Sequence, residues 1–305
     1  MASLLTPPLR SELQKIASQV RFDEPMAEHT TFHIGGPADV YAEAGNLKEL
    51  EALLNWAKRR EVPFFLMGWG SNLLVLDGGI RGLVIRLAGE FQQICQEGEA
   101  EVYAGAAVRL PALVSFCAGR GLSGLQALTG IPGTVGGALV MNAGTPEGQI
   151  GDFVSGVWAW DEGAGKAREL GSSQVHFGYR QSSLGGMVLL GVRLKLKRDS
   201  KDAIIAATRE LQARRTKAQP VRLYNAGSIF KNPSGDYAAR LIESAGLKGA
   251  RSGDAQVSEQ HANFIVNLGR ARAREVLDLI EKIRSAVRKI HQVDLELEVQ
   301  VVGSP

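Results

Sequence analysis

Cysteine and histidine are scarce in this 305-residue chain, with two of the first and five of the second. Cys95 and Cys117 lie far apart and fit no metal or redox spacing, which excludes a disulfide framework or a CxxC centre. Both read as reduced thiols packed as small apolar groups. His29, His33, His176, His261 and His291 form no HExxH pattern, so no protein-bound metal is expected. Aromatic residues make up 6% and no basic run is interleaved with them, which argues against stacking on single strands. A formal charge of +3 is too small to argue for nucleic acid, although it suits an anionic small molecule. No apolar run approaches the ~18 residues of a membrane span. The opening MASLLTPPLRSELQ lacks the apolar core and cleavage site of a secretory signal, so a cytoplasmic protein is expected. Internal repeats, low-complexity tracts and long linkers are missing as well.

Glycine is abundant, at 36 residues. It is densest in residues 121–151, GLSGLQALTGIPGTVGGALVMNAGTPEGQIG, where no charged residue occurs from Leu122 to Pro146. A segment this poor in charge is normally buried, and one this rich in glycine bends sharply and lets backbone approach something closely. Buried amides need acceptors. Composition leaves two readings open: a cradle of main-chain amides for a large anionic ligand, or a glycine-rich core turn with no ligand.

At 45% hydrophobic and 22% charged residues, the chain is ordinary for a globular protein and long enough for two or three domains. Residues 9–20 read as a short amphipathic helix, and Asp39–Glu43 as a strand. Asn46 with Glu49 forms a capping-box pattern ahead of a helix whose inner face is Leu47, Leu50, Leu53, Leu54 and Ala57. Pro63–Met67 reads as a buried strand ending in Gly68-Trp-Gly-Ser-Asn72, followed by a strand over 73–76. That loop is not a full GxGxxG fingerprint, because position 73 is leucine, and there is no GxxxxGK(S/T) phosphate loop. A tight β-turn remains an equal reading of it. Further strands are expected at 83–85, 101–104, 153–160 and 187–196, with a helix over 110–119 and a polar loop over 176–183. A basic helix over 201–218 leads into the last third. There, a helix over 237–245 is capped by Gly246, and a strand covers 262–267. A helix over 272–291 buries Val276, Leu279, Ile280, Ile283, Val287 and Ile290, with an Asp278–Lys282 pair outside. Residues 293–302 alternate strictly, with Val293, Leu295, Leu297, Val299 and Val301 facing in.

Three segments together resemble one family. They are Gly68-Trp-Gly-Ser-Asn72, Gly130-Ile-Pro-Gly-Thr-Val-Gly-Gly-Ala-Leu-Val-Met-Asn-Ala-Gly144 and Asn225-Ala-Gly-Ser-Ile-Phe-Lys-Asn-Pro233. Thr30-Thr-Phe32, Ile34-Gly-Gly-Pro-Ala38, Phe177-Gly-Tyr-Arg180 and Leu295-Glu-Leu-Glu-Val299 follow the same pattern in the same order. The chain from about Thr30 onward is similar to the UDP-N-acetylenolpyruvoylglucosamine reductases, MurB. The resemblance implies an α+β flavoprotein of the vanillyl-alcohol-oxidase type. Two lobes, residues 1–80 and 81–200, would hold FAD, and residues 201–305 would form a C-terminal α+β substrate domain. The strand at about 293–302 would possess the option of returning to the FAD lobes.

The implied reaction uses NADPH to reduce the flavin, which then reduces the enol ether of UDP-N-acetylglucosamine enolpyruvate to UDP-N-acetylmuramate, a peptidoglycan precursor. Hydride delivered to the terminal carbon leaves enolate character beside the carboxylate, which placed charge must stabilise. A positioned acid must then protonate that carbon. By motif the resemblance assigns the proton to Ser228 and the charge stabilisation to Arg180 and Glu298. Each has a plainer reading: a surface arginine, a capping serine and a solvated edge carboxylate. The residue before Glu298 is Leu297 where the family usually has proline, and Trp69 stands where it often has glycine. His33 is also not the commonest residue at its place, and reads as structural. FAD contacts implied are Gly68, Gly70, Ser71, Asn72, Gly130, Ile131, Pro132, Gly133, Gly136, Gly137 and Asn142. Substrate contacts implied are Tyr179, Lys217 and Asn232. Lys231 reads equally as a diphosphate ligand or as an exposed lysine. The short path from Pro233 to the helix at Tyr237 omits a tyrosine-bearing loop and implies the shorter subtype, with a more open pocket. A monomer is expected, without nucleic-acid or membrane partners. Two other functions stay in view: another oxidoreductase of the same flavin fold, or a nucleotide-sugar-binding protein without chemistry. The Ser228 segment argues against the first, which has no need of that proton donor, and an intact Arg180, Ser228 and Glu298 set argues against the second.

Overall fold

The computed structural model describes residues 6–161 and 163–305. Helix α1, Pro7–Ile16, starts on two prolines, whose missing N–H groups cost nothing in a first turn. It ends before the expected residue 20. Val20 and Phe22 instead alternate with polar neighbours in a strand, Gln19–Pro25, which pairs antiparallel with Pro37–Ala44. Helix α2, Leu47–Arg59, begins as the capping pattern requires, with the Glu49 amide donating to Asn46 Oδ1 at 3.0 Å. It buries Leu50, Leu53, Leu54, Trp56 and Ala57.

The first sheet runs Gln19–Pro25, Pro37–Ala44, Ile80–Leu87, Phe64–Met67. The last two pairings are parallel. Because Ile80–Leu87 lies inside this sheet, the first lobe extends to about residue 87 and not to 80. Phe64–Met67 is its edge strand. Only Met67 of the four is buried, so the expected wholly buried strand is half-open on one side. The second sheet is antiparallel throughout, in the order Lys166–Gly171, Val154–Asp161, Val188–Lys195, Glu101–Gly105, Ile94–Glu97. One apolar core joins the two sheets, with Val40, Leu83 and Ile85 from the first meeting Val102, Val192 and Leu194 from the second. Helices α3, Leu110–Gly119, and α4, Val135–Val140, pack on it, the first just ahead of the glycine-rich stretch and the second within it. The expected polar loop at 176–183 is a small hairpin, Phe177–Gly178 with Gln181–Ser182.

Helix α5, Lys201–Ala218, leads to the C-terminal domain. Its sheet runs Tyr224–Asn225, Ile265–Asn267, Ala255–Val257, Arg251–Ser252. Helices α6, Ala238–Ser244, and α7, Ala273–His291, cover it. Gly246, at φ +71°, follows α6 in the left-handed conformation that a helix end favours. Val276, Leu279, Ile280, Ile283 and Val287 of α7 are buried, each worth roughly 1.5–3 kcal/mol. Ile290 is 54% exposed, because α7 overruns the sheet there. Asp278 pairs backward with Arg274 at 3.0 Å instead of forward with Lys282.

The alternating tail forms a regular strand only at Gln300–Val302, which runs parallel to Leu73–Val75. Upstream of it, Leu295 and Val299 are buried in the C-terminal core, and Leu297 bridges Phe230. Phe32, Ile34 and Leu74 enter that same core from the N-terminal half. The C-terminal domain is thereby tied to the first lobe at both ends of the sequence.

Candidate active site

A cavity of about 820 Å³ lies where the two lobes and the C-terminal domain meet, near the upper end of the size of ligand sites. Gly68–Asn72, Ile131–Thr134, Gly136 and Gly137 form one part of its wall, while Arg180, Ser228, Asn232 and Glu298 line another.

Residues 68–72 turn the chain between two strands. Gly70 sits at φ +66°, and a Cβ there would fall 2.2 Å from the His29 carbonyl oxygen. Gly68 is pressed against Thr134, whose Oγ1 would lie 2.4 Å from an added Cβ. Ser71 Oγ donates to the Pro132 carbonyl at 3.1 Å, joining the two glycine segments. The amides of Gly68, Trp69, Gly70, Ser71 and Asn72 find no protein acceptor among the described residues. Those of Gly136 and Gly137 are already used, by the Ala106 carbonyl at 2.8 Å and by Thr134 Oγ1 at 3.4 Å. Free donors for an anion therefore lie in the 68–72 turn. Gly137 leaves space, with its nearest neighbour 3.6 Å from a Cβ, whereas a Cβ on Gly136 would press on Ala106 at 3.2 Å.

Arg180 occupies the tip of the small hairpin at φ +55°, a conformation costing a non-glycine residue on the order of 1–3 kcal/mol. Its Nε donates to Glu298 Oε1 at 2.8 Å, and both side chains are mostly buried. The two Nη groups have no protein acceptor among the described residues and remain for a ligand. Burial pushes the Glu298 carboxyl above its ordinary value, and the Arg180 charge only partly offsets this. Glu298 is fixed through its backbone, since its amide donates to the Ile229 carbonyl at 2.8 Å and its carbonyl accepts from Asn72 Nδ2 at 3.0 Å. Ser228 immediately precedes Ile229. The strand contact that positions Glu298 therefore positions Ser228 too. Gly227, at φ +78°, turns the chain into this contact, with its amide bonded to Asn225 Oδ1 at 2.9 Å.

Four of the expected ligand residues do not line the cavity. Asn142 is fully buried, with Nδ2 on the Gly178 carbonyl at 2.9 Å and Oδ1 on the Gly151 amide at 3.1 Å. Its side chain reaches no cavity surface and instead braces the Arg180 hairpin. Gly130 packs against Arg215 and Gln212 of α5. Tyr179 is 48% exposed, and its hydroxyl accepts from the Asn232 amide at 3.2 Å. Lys217 is exposed on the outside of α5. The α5 cation on the cavity wall is Arg215, whose Nε is buried without a partner. Burial and the neighbouring Arg180 push Arg215 down to about 10, still charged at neutral pH. Two helical positions amount to roughly 200° of rotation, so Lys217 and Arg215 face opposite ways. Trp69, Arg86, Arg109 and His261 also line the wall, and the buried Arg109 Nε and His261 Nδ1 lack partners. Trp69 belongs to the glycine segment already singled out in the sequence, but no pattern marks Arg86, Arg109 or His261, because each comes from a different element.

The orphaned donors, the unpartnered amides and the glycine-lined wall suit a phosphate-bearing dinucleotide. Residues 68–72 would meet its phosphates, and Gly133–Gly137 its flat ring system. No group of three or more His, Cys, Asp or Glu that could hold a metal occurs among the described residues.

Residues 38–171 match the model of an FAD binding domain, and residues 219–302 match the C-terminal domain of UDP-N-acetylenolpyruvoylglucosamine reductase. The chain is 46% identical to the UDP-N-acetylenolpyruvoylglucosamine reductase of Moorella thermoacetica, over 97% of both sequences. It is 44% identical to UDP-N-acetylenolpyruvoylglucosamine reductase 2 of Symbiobacterium thermophilum, also over 97% of both. The crystal structure of the MurB reductase from Thermus caldophilus superimposes with a TM-score of 0.80 at 42% identity, covering 93% of this chain and 98% of that one. Likeness of this depth over nearly the whole of each protein makes the chain a member of the UDP-N-acetylenolpyruvoylglucosamine reductase family.

Proposed function

We propose that Arg180, Ser228 and Glu298 carry the chemistry of this chain, an FAD-dependent reductase that takes electrons from NADPH and saturates the enolpyruvyl ether of a UDP-sugar. The supporting observation is the 2.8 Å Arg180–Glu298 pair on the same cavity wall as Ser228. FAD held along the 68–72 turn and the Gly133–Gly137 wall would supply, once reduced, the hydride for the terminal vinyl carbon. Arg180 binds the adjacent carboxylate through its two unpartnered Nη groups and stabilises the charge that develops there. Glu298 holds the guanidinium in that orientation. Ser228 Oγ donates the proton to the carbon beside the carboxylate, completing the lactyl ether, and recovers its own proton from solvent. A hydroxyl is a weak acid, so this donation is effective only next to a strongly basic carbon.

Asn232 on the wall and Tyr179 behind it would orient the sugar diphosphate, with Arg215 in place of Lys217. The short connection from Pro233 to α6 leaves the rim open, as in the shorter subtype. The proposed working unit is a monomer. Two free cysteines, with Cys95 exposed, suit the reducing cytoplasm.

The test is a two-step anaerobic titration. NADPH should bleach the flavin absorbance, and the enolpyruvyl UDP-sugar should restore it in one equivalent. Bleaching without recovery on that substrate would point to another flavoenzyme. A colourless protein that takes up no flavin would point to a binding module.

A further inference from the structure

Trp69 interrupts the glycine turn at the point where the amides are free, and two arginines lie over its ring. The Arg109 guanidinium carbon is 3.2 Å from the ring centroid, and that of Arg86 is 4.7 Å from it. All three residues line the cavity. Neither arginine forms an ion pair among the described residues. Arg86 donates only a long 3.5 Å bond to the Tyr41 hydroxyl, and the buried Nε of Arg109 has no partner. Arg109 also bridges the backbone of Thr134, so its position is tied to the second glycine segment. Burial, with the charge of Arg86 adding to it, pushes the Arg109 guanidinium down.

Two adjacent cations without a carboxylate repel each other and lose hydration. The negative face of an indole offsets part of this cost and holds the pair in place. An anion in the cavity would offset the remainder. The neighbouring amides of 68–72 offer hydrogen bonds without formal charge, whereas a dinucleotide diphosphate carries about two negative charges. We infer that Arg86 and Arg109, positioned by Trp69, form the cationic half of the diphosphate subsite for the FAD cofactor. Trp69 is then a positioning residue, and the arginines are binding residues with no part in hydride or proton transfer. This inference rests on the flavin reading of the cavity.

The experiment uses apoprotein stripped of flavin and titrated with FAD or riboflavin, followed by flavin fluorescence, at several salt concentrations. Arg86→Gln and Arg109→Gln should each weaken FAD by about 10–100-fold, the range for losing one charge-assisted bond. Riboflavin, which has no phosphate, should bind all variants equally. The dependence of FAD affinity on salt should flatten in both. Trp69→Phe should keep most of the FAD affinity and Trp69→Gly should lose it, although both arginines remain. Removing a half-buried cation that has no ion-pair partner among the described residues should not lower the melting temperature of the apoprotein, which separates a lost ligand contact from a damaged fold.

Unchanged FAD affinity in both arginine variants would overturn the inference. So would an equal loss for riboflavin, or a defect confined to the KM for NADPH, which would move the subsite to the reductant. If wild-type apoprotein takes up neither flavin, the flavin reading fails together with the inference.

Discussion

Arg180 and Glu298 meet at 2.8 Å although 118 residues separate them, and the contact joins a hairpin of the second lobe to the tail of the C-terminal domain. The pair also closes off the Nε of Arg180 and leaves its other two nitrogens facing the cavity. In the proposed role of Arg180, this contact would fix the fork that receives the substrate carboxylate.

Ser228→Ala should leave the rate of flavin reduction by NADPH within about twofold. Flavin reoxidation by the enolpyruvyl substrate should fall by roughly 10²–10⁴-fold, the span of a positioned proton donor. Stopped-flow absorbance measures the two half-reactions separately, and equal losses in both would remove Ser228 from the proposed role.

Arg180→Lys should slow the substrate half-reaction by about 10²-fold and raise the substrate KM, because an ammonium cannot reproduce the fork or the Nε contact to Glu298. Flavin reduction by NADPH should change far less. A lysine variant with wild-type reoxidation would mean that point charge alone suffices.

Glu298→Gln tests the raised carboxyl. A carboxyl whose folded pKa lies above its unfolded value, near 4.5, contributes most to stability while it is protonated, and loses that contribution as pH rises through the folded value. The stability of the wild type relative to Glu298→Gln should thus decline from acidic pH upward through that interval and then level off. Denaturant midpoints across pH 4–8 would show it, and a difference that grows with pH would contradict the direction of the shift.

Gly70→Ala and Gly137→Ala should separate backbone demand from ligand demand. The first meets a carbonyl at 2.2 Å in a left-handed conformation and should cost on the order of 2–4 kcal/mol, or prevent folding. The second has room for a methyl in the protein alone. Gly137→Ala apoprotein should melt near the wild type while its FAD affinity falls by about tenfold. Normal FAD binding in that variant would place the ring system elsewhere on the wall.

Arg215→Met and Lys217→Ala address the two neighbouring cations of α5. Removing Arg215, whose Nε is buried and unpartnered, should stabilise the apoprotein by on the order of 1–3 kcal/mol while raising the substrate KM about tenfold. Lys217→Ala should alter neither by a measurable amount. Thermal melts and steady-state kinetics on the pair would check this, and the reverse pattern would restore Lys217 as the ligand.

Local signals in the sequence carried well into the structure. Asn46 and Glu49 mark the start of α2, and the stripe from Val276 to Val287 marks the buried face of α7, because both depend on neighbours within a turn or two. The glycines at 68 and 70 were readable because a close backbone approach admits no side chain. What eluded reading depends on distant partners. Asn142 looks like a ligand in a glycine-rich motif, yet its two bonds reach Gly178 and Gly151. Helix α5 is polar on nearly all sides, so no periodicity reveals which cation faces inward. Ile80–Leu87 joins the first sheet only through parallel pairings, which leave no hairpin signature in the sequence.

The parallel pairing of Gln300–Val302 with Leu73–Val75 places the first glycine turn and Glu298 on adjoining stretches of backbone. More than two hundred residues must leave the ribosome between the synthesis of that turn and the arrival of its partner. During translation the turn is present without the strand that borders it, and the part of the cavity wall given by Glu298 and Gln300 is the last to be made.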